Sequence, residues 1–495
     1  MQLSYLLKDF ITLPAMADRD IARLTLDSRR VGANDLFLAV KGVLCDGRQF
    51  ITEAVQKGAA AVLLETDKAD ETIAWQGGVP IIPIQQLPHQ LGKLAARFYD
   101  QPAAHLRMIG VTGTSGKTSC THFIAQVMQS LHIPCGIIGT LGSGFYGALG
   151  ETGLTTPDAI SLQATLHDLL RQGASTIAME VSSHSIDQGR INAVPFEIGI
   201  FTNLTQDHLD YHGDMAAYAA VKRRFIAEFP LQHAIINLDD PYGRTWASDL
   251  AKHQSVYAYA TEKPPASMMG AFPIIYAQAI QLSKQGIVSR LATPWGEGTL
   301  SLPLVGKFNL SNALAVLTTL CVYGIPFDEA LRQLAQLKTV PGRMQTLGGK
   351  GQPLVVVDYA HKPDALEKVL QVLRAHTNGK LICVFGCGGE RDQSKRPLMA
   401  KITETLADQV IVTNDNPRRE KPEAIAAQIM QGFSRPERVL VELDRSKAIK
   451  NSIQCASAED CILIAGKGAE KYQQVGEEKI PFDDVEQALM YLNGE

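Results

Sequence analysis

Long apolar runs, paired cysteines and basic patches are all missing from this chain of 495 residues. No run of about 18 apolar residues occurs, so no membrane-spanning helix is expected. Residues 1–9 lack a basic segment followed by an apolar one, so no secretory leader is expected and a cytoplasmic protein is. The eight cysteines contain no C-x-x-C pair, and Cys383 and Cys387 have no second ligand pair nearby in sequence, so zinc is not expected and free thiols are. With a formal net charge of -4 and no basic run interleaved with aromatics, nucleic acid is not an expected partner. Two missing glycines matter as well. Arg391 stands where a dinucleotide fingerprint begun by Gly386 and Gly388 needs its third glycine, which removes a dehydrogenase. Val111 stands where the strict G-x-x-x-x-G-K-[ST] pattern needs its first glycine, so any phosphate loop here is a variant.

Apolar residues make up 45% and charged residues 20%, the balance of a soluble globular protein. The length exceeds one core and suggests roughly three domains, placed at 1–105, 106–338 and 339–495. The expected fold class is α/β: a small α/β domain, a central parallel-sheet domain of P-loop type, and a Rossmann-like C-terminal domain.

Residues 107–119 read Arg-Met-Ile-Gly-Val-Thr-Gly-Thr-Ser-Gly-Lys-Thr-Ser, and the rest of the chain is organised around them. An apolar strand (Met108, Ile109, Val111) leads into Gly113 and Gly116, and a helix-period stretch follows with Phe123, Ile124, Val127, Met128 and Leu131 on one face. Such a loop suits a polyphosphate. Its glycines let backbone N–H groups close on the oxygens, the helix N-terminus adds partial positive charge, and Lys117 adds a full one. Thr118 is placed to set a hydroxyl on Mg²⁺.

Polar clusters fall where further strands should end, the usual address for ligands in a parallel sheet. The run 176–184 closes on Glu180, Ser182, Ser183 and His184; the run 198–213 closes on Asp207, His208, Asp210 and His212. Glu180 and His208 are expected at the ends of neighbouring buried strands. There a carboxylate and a neutral imidazole could share a hard divalent cation, although either residue alone would be read as solvated or capping. Thr155-Thr156-Pro157-Asp158 opens a helix, with Pro157 suited to its first position. Lys222 reads by default as a solvated lysine on a helix. In the helix expected over 309–323, Asn309 and Asn312 share a face, and both capping and nucleotide contact stay open for Asn309.

In the first domain, strands are expected over 35–40, 60–64 and 79–84 and a helix over 91–99. The polar knots 25–29 and 41–48 read as turns. In the last domain, strands over 354–357, 380–385, 409–412, 438–441 and 461–464 alternate with helical stretches, which predicts a doubly wound sheet. The loops after them, Asp358-Tyr359-Ala360-His361, 386–392, Asp415-Asn416-Pro417-Arg418 and 466–470, should leave one edge of that sheet. An acid, an amide and two arginines there suit a small zwitterion with amines and carboxylates, because Arg grips a carboxylate with two parallel hydrogen bonds; a solvated charged rim is the plainer alternative.

Thr-Gly-Thr-Ser-Gly-Lys-Thr, Met-Glu-Val-Ser-Ser-His, Asn-Leu-Thr-Gln-Asp-His-Leu-Asp-Tyr-His-Gly, Asp-Tyr-Ala-His and Asp-Asn-Pro-Arg, in this order along essentially the whole chain, resemble the Mur ligases, and among them those that add meso-diaminopimelate. The resemblance implies domains for a UDP-sugar, for ATP and for an incoming amino acid. It also implies a reaction. ATP phosphorylates the γ-carboxylate of D-glutamate in UDP-N-acetylmuramoyl-L-alanyl-D-glutamate, and an amine of meso-diaminopimelate attacks the acyl phosphate to form an amide, a step of peptidoglycan precursor synthesis.

The site residues follow by the same resemblance. Gly113, Thr114, Ser115, Gly116, Lys117, Thr118 and Ser119 match the ATP loop, and Asn309 and Arg343 match nucleotide contacts, Arg343 acting on domain closure. Thr118, Glu180, His208 and Lys222 match Mg²⁺ ligands, with Lys222 carbamylated. Lys117, Lys222 and His208 are the implied catalytic residues. Leu26, Ser28, Thr155, Thr156, Ser182, Gln188 and Arg190 match positions that hold the UDP-muramoyl dipeptide. Arg391, Asp415, Asn416, Pro417, Arg418, Gly466 and Glu470 match diaminopimelate contacts, with Arg418 marking diaminopimelate over lysine. Ser115, Gln345, Lys362, Glu390 and Ala469 depart from the usual pattern. A monomer is expected. Folylpolyglutamate synthetase, a rival amide ligase with a similar loop, lacks the N-terminal domain and the Asp-Asn-Pro-Arg motif, and a silent phosphate-loop module would be expected to have lost Lys117, Glu180 or His208.

Overall fold

The computed structural model describes residues 1–42, 45–68, 72–283 and 285–494. The chain divides into two compact units, Met1–Ala258 with Gly270–Phe272, and Tyr259–Met269 with Pro273–Glu495.

The first unit opens with β1 (Arg23–Thr25), β2 (Asp35–Ala39), β3 (Ala61–Thr66), β4 (Ala74–Gln76) and β5 (Val79–Gln85), ordered β1-β2-β3-β5-β4 and parallel except for β4. Strand alternation sends Leu36, Leu38, Leu63 and Ile82 to one face, against Leu3, Leu6, Leu91 and Leu94, and Phe37 and Val62 to the other, against Ala54. The helix Leu87–Phe98 begins earlier than expected, with Pro88 in the first turn, where a missing N–H costs nothing. Both polar knots are turns: Asp27 and Asp46 each accept the N–H two residues ahead and open short 3₁₀ turns. Val43 and Leu44 of the second knot lie outside the described residues.

Next come β6 (Arg107–Thr112), β7 (Cys135–Gly139), β8 (Gly142–Phe145), β9 (Ala148–Gly150), β10 (Thr176–Glu180), β11 (Phe196–Phe201) and β12 (His233–Asn237). Their order is β12-β11-β6-β10-β7-β8-β9, parallel from β12 to β7 and antiparallel beyond. β6 is central, which corrects one expectation: β10 and β11 are not neighbours but flank β6 on either side. His208 is also not on a strand end. β11 stops at Phe201, and His208 precedes the short helix Leu209–His212 in the left-handed region (φ 53°). A second correction concerns Pro157. The carboxylate of Asp158 accepts the N–H groups of Ile160 and Ser161, 3.0 Å each, so Asp158 caps the helix Ala159–Arg171 and Pro157 lies outside it.

β13 (Val256–Ala260) passes from the first unit into the second. In the second unit β14 (Ile274–Ser283), β15 (Gly286–Thr293) and β16 (Gly296–Leu302) pair antiparallel. The helix Lys307–Tyr323 starts before Asn309, which therefore does not cap it; Asn309 is buried and its Nδ2 donates to Val305 O at 2.8 Å.

β17 (Gln345–Gly348), β18 (Leu354–Asp358), β19 (Leu381–Phe385), β20 (Gln409–Val412), β21 (Leu440–Val441) and β22 (Cys461–Ala465) form a sheet ordered β17-β18-β22-β19-β20-β21, parallel except for β17. Alternate residues face two apolar layers, Val356, Cys383 and Leu463 on one side and Val355, Ile382 and Ile462 on the other, the expected doubly wound arrangement. β21 is shorter than predicted because Pro436 opens a 3₁₀ turn through Arg438. A hairpin of β23 (Tyr472–Val475) and β24 (Glu478–Pro481) follows. No helix among the described residues is long and apolar enough to cross a membrane.

Candidate active site

The end of β6 runs into Gly113, whose φ is 147° and where a Cβ would lie 1.9 Å from Thr202 Oγ1, so glycine alone fits. The loop is stitched to the segment after β11. Thr114 N donates to Asn203 O at 2.9 Å, Ser115 N donates to Asn203 Oδ1 at 3.0 Å, and Thr202 Oγ1 and Asn203 Nδ2 donate to Ser115 O at 2.6 and 3.1 Å. Ser115 takes part in these bonds through its backbone, so its departure from asparagine costs none of them. Gly116 (φ 89°) starts the helix Lys117–Ser130, with Thr118 buried in its first turn. Lys117 Nζ lies back over the loop, donating to Gly113 O at 2.8 Å and Thr114 O at 3.1 Å.

Lys222 overturns its default reading. It is 1% exposed, and its amine donates to the same Gly113 O at 3.0 Å while sitting 5.0 Å from the Tyr218 ring centre. Burial, then the nearby Lys117 charge, push its pKa well below the ordinary lysine range. Tyr218, one helical turn earlier, closes the same face by pairing its hydroxyl with Thr114 Oγ1 at 3.2 Å.

Glu180 ends β10 at 1% exposure, and Thr140 donates to its two oxygens, N to Oε1 at 2.8 Å and Oγ1 to Oε2 at 3.1 Å. No Lys or Arg among the described residues pairs with it. A buried carboxylate without a basic partner suits a hard cation, since an unpaired anion is costly to desolvate. His208 lies across an imidazole and phenol cluster: its ring is 5.0 Å from His184, itself 4.2 Å from Tyr211 and 5.6 Å from His212, and His212 Nε2 meets Ser183 Oγ at 2.9 Å. Burial and the neighbouring imidazoles hold His184 below the ordinary histidine range.

Next to Glu180 gather most of the expected dipeptide positions. Thr156 Oγ1 donates to Glu180 O at 2.8 Å and to Ser182 Oγ at 3.3 Å, Thr155 Oγ1 meets Thr140 Oγ1 at 3.1 Å, and Arg190 donates to Thr156 O at 2.8 Å and to Gln188 Oε1 at 2.6 and 2.9 Å. Leu26 and Ser28 are not joined to this group: Leu26 packs against the core of the N-terminal sheet, and Ser28 Oγ donates to Glu53 Oε2 at 3.0 Å.

In the second unit the four loops named from the sequence all leave the C-terminal ends of β18, β19, β20 and β22. Asn416 is the hub. Its Nδ2 donates to Glu470 Oε2 at 2.8 Å, and its Oδ1 accepts from Lys467 Nζ at 3.0 Å and Gln474 N at 2.8 Å. Lys467, fully buried, also reaches Glu470 Oε2 at 3.2 Å. Asp415 Oδ1 accepts Asn416 N, whereas its buried Oδ2 has no partner among the described residues and faces Gly466; burial raises this carboxyl above the usual range. Arg418 Nη1 donates to Gly389 O at 2.7 Å. A Cβ on Gly388 would lie 2.9 Å from Arg418 Nη1 and 3.8 Å from Arg391 Cγ, so both arginines flank this glycine. Arg343 stands 5.4 Å above the Tyr359 ring.

Sequence reasoning passed over Arg396, Glu420 and Tyr218, and it named Lys467, His184 and His212 only within strand-end runs, without a role. Arg396 carried one signal: a cation in the first turn of the helix Lys395–Leu406 opposes the helix dipole and asks for a reason. Lys467 lay inside a strand-end loop that the sequence already singled out, but nothing in the sequence marked it as buried.

A loop of phosphate-binding type on one parallel sheet and a cluster of charged groups at the strand ends of a second, doubly wound sheet define a nucleotide-using α/β enzyme. Family models described as the Mur ligase catalytic, middle and glutamate ligase domains match residues 20–99, 111–320 and 342–468. Proteins named UDP-N-acetylmuramoyl-L-alanyl-D-glutamate--2,6-diaminopimelate ligase, from Coxiella burnetii and Pseudomonas aeruginosa, are 48% and 49% identical over 96% and 95% of both chains. A solved structure bearing the same name matches with a TM-score of 0.76 at 34% identity, covering 100% of this chain and 99% of that one. The chain belongs to the Mur ligase family, whose enzymes are ATP-dependent ligases. A Mycobacterium tuberculosis folylpolyglutamate synthase shares the fold at 19% identity and a TM-score of 0.59, covering 92% of itself but 76% of this chain.

Proposed function

We propose that this protein joins meso-diaminopimelate to the γ-carboxylate of D-glutamate in UDP-N-acetylmuramoyl-L-alanyl-D-glutamate at the expense of ATP, through an acyl phosphate. The observation that carries the reading is the convergence, in a Mur ligase chain, of Asn416, Arg418, Glu470 and the unpartnered Asp415 Oδ2 at one sheet edge. Carboxylates there suit an ammonium, and the Arg418 guanidinium suits a distal carboxylate that lysine lacks.

The loop 113–119 holds the triphosphate by its backbone N–H groups, and the Lys117 ammonium faces the transferring phosphoryl group. Glu180, His208, Thr118 and Lys222 would hold Mg²⁺, which neutralises phosphate charge when bound. An ammonium cannot ligate a cation. The Lys222 amine, its pKa lowered by burial, would add CO₂ and shed a proton, and the resulting carbamate would offer the cation an anionic oxygen. Leu26, Ser28, Thr155, Thr156, Ser182, Gln188 and Arg190 hold the UDP-muramoyl dipeptide. Asn309 and Arg343 keep their nucleotide roles within this proposal, as do residues 1–105, 106–338 and 339–495 as UDP-sugar, ATP and amino-acid domains, in a cytoplasmic monomer.

The test is ATP-dependent phosphate release with the UDP-muramoyl dipeptide, comparing meso-diaminopimelate with L-lysine. Preference for diaminopimelate by roughly 10⁴ is expected, because lysine offers Arg418 no distal carboxylate. Equal use of lysine would overturn the amino-acid assignment, and no release with either would overturn the ligase.

A further inference from the structure

Arg396 is fully buried, yet none of the chemistry above uses it. Its guanidinium forks onto Glu420, Nη1 to Oε2 at 2.9 Å and Nη2 to Oε1 at 3.1 Å, and also donates to Gln428 Oε1 at 2.6 Å and Gly388 O at 3.2 Å. Glu420 in turn accepts the N–H of Glu390 through its side chain, while its own N–H closes a turn onto Pro417 O at 3.1 Å. One ion pair therefore ties together the loop after β19, which carries Arg391, and the turn after β20, which carries Arg418. Between them the loops touch at Gly389: its N donates to Asn416 O at 2.9 Å, its O accepts Arg418 Nη1 at 2.7 Å, and a Cβ there would lie 1.9 Å from Pro417 O. The approach is too close for any other residue.

We infer that Arg396 and Glu420 are positioning residues for amino-acid choice: they touch no substrate but fix Gly389 O, and through it the direction in which Arg418 presents its guanidinium. A bidentate pair fixes a loop in two directions at once, and an amine in place of Arg396 cannot make the fork. The hairpin of β23 and β24 supports Arg418 from its backbone, Arg418 N donating to Gln474 O and Gly476 N to Arg418 O, so the side-chain direction is what the ion pair controls.

The inference rests on the proposed use of diaminopimelate, and the wild-type enzyme run alongside separates the two: wild type that ignores diaminopimelate sinks the function, not the pair. In Glu420→Gln the KM for diaminopimelate should rise about tenfold, the loss of one charged hydrogen bond, with the KM values for ATP and for the UDP substrate unchanged. Arg396→Lys should behave alike. In an Arg418→Ala background the Glu420→Gln effect should shrink, since the route through Arg418 is gone and only that through the Arg391 loop remains. An unchanged diaminopimelate KM in Glu420→Gln, an equal rise in all three KM values, or an effect that persists in full without Arg418 would each overturn the proposal.

Discussion

The two units bury basic side chains in opposite ways. In the second unit every fully buried lysine or arginine among the described residues has a carboxylate: Arg396 with Glu420, Arg445 with Asp484, Lys467 with Glu470. In the first unit Lys222 is just as buried but donates to a backbone carbonyl, with a second lysine beside it on the same oxygen. A paired cation stays charged and builds rigid geometry. Burial of an amine without an opposite charge lowers its pKa and so favours the neutral form, the one that can react. Under the proposed function, the second unit's rigid pairs suit recognition of the amino acid, and the first unit's buried lysine suits a site that takes up charge with its ligand.

The comparison breaks most visibly at the lysines of the first unit. Lys117→Ala should lower turnover by at least about 10³, because the charge it supplies is needed in the transition state, and Lys222→Met should lower it by on the order of 10². Phosphate release under saturating substrates checks both. Stability should separate the units next. Arg445 and Asp484 pair through two hydrogen bonds of 2.7 Å, both side chains 0% exposed, and Arg445→Met strands the acid at a cost of about 3–5 kcal/mol. Lys222→Met should cost nothing or stabilise. Between its lowered folded pKa and the ordinary 10.5 the unfolded chain binds the extra proton, so this lysine opposes folding and its removal lifts that penalty. Thermal melts of the two variants that lose stability alike would erase the contrast.

Smaller is the effect expected at the recognition site. Arg418→Ala should raise the diaminopimelate KM by about tenfold to a hundredfold while sparing the KM for ATP, and it should narrow the preference over lysine. Competition between the two amino acids is the sharper measurement, and unaltered selectivity would remove Arg418 from the choice.

How much of this was legible depended on where each signal lay. The loop and its setting could be read because their parts are contiguous: strand, two glycines, Lys117 and helix follow one another. The doubly wound sheet could be read because its strands are apolar on both faces. The buried pairs could not. Arg396 and Glu420, Arg445 and Asp484, and Lys222 with Gly113 are joined across distant segments, and a lysine or arginine carries no mark in the sequence that it is inside. His208 was legible as a residue type at a site but not as a position, because the chain leaves β11 well before it and turns through the left-handed region. Pro157 failed for a local reason: an aspartate next to a proline at a helix start competes for the cap, and the aspartate won.

His122 offers the mildest test of the first unit's habit. It lies on the helix that the phosphate loop opens, 3% exposed, with Nδ1 bound to nothing among the described residues and its ring edge-on to Tyr146 at 6.2 Å. Burial pushes its pKa down to about 4 from 6.5. The unfolded chain takes up the proton first as pH falls, so the stability this histidine permits is complete above about 6.5 and drains away towards 4. At pH 5.5, one unit into that window, the loss relative to pH 7 should be about 1 kcal/mol. His122→Phe keeps the aromatic contact and removes the proton site, so its melting temperature should fall less than that of the wild type over the same interval. Parallel curves for the two proteins would mean that His122 is hydrated or paired in solution.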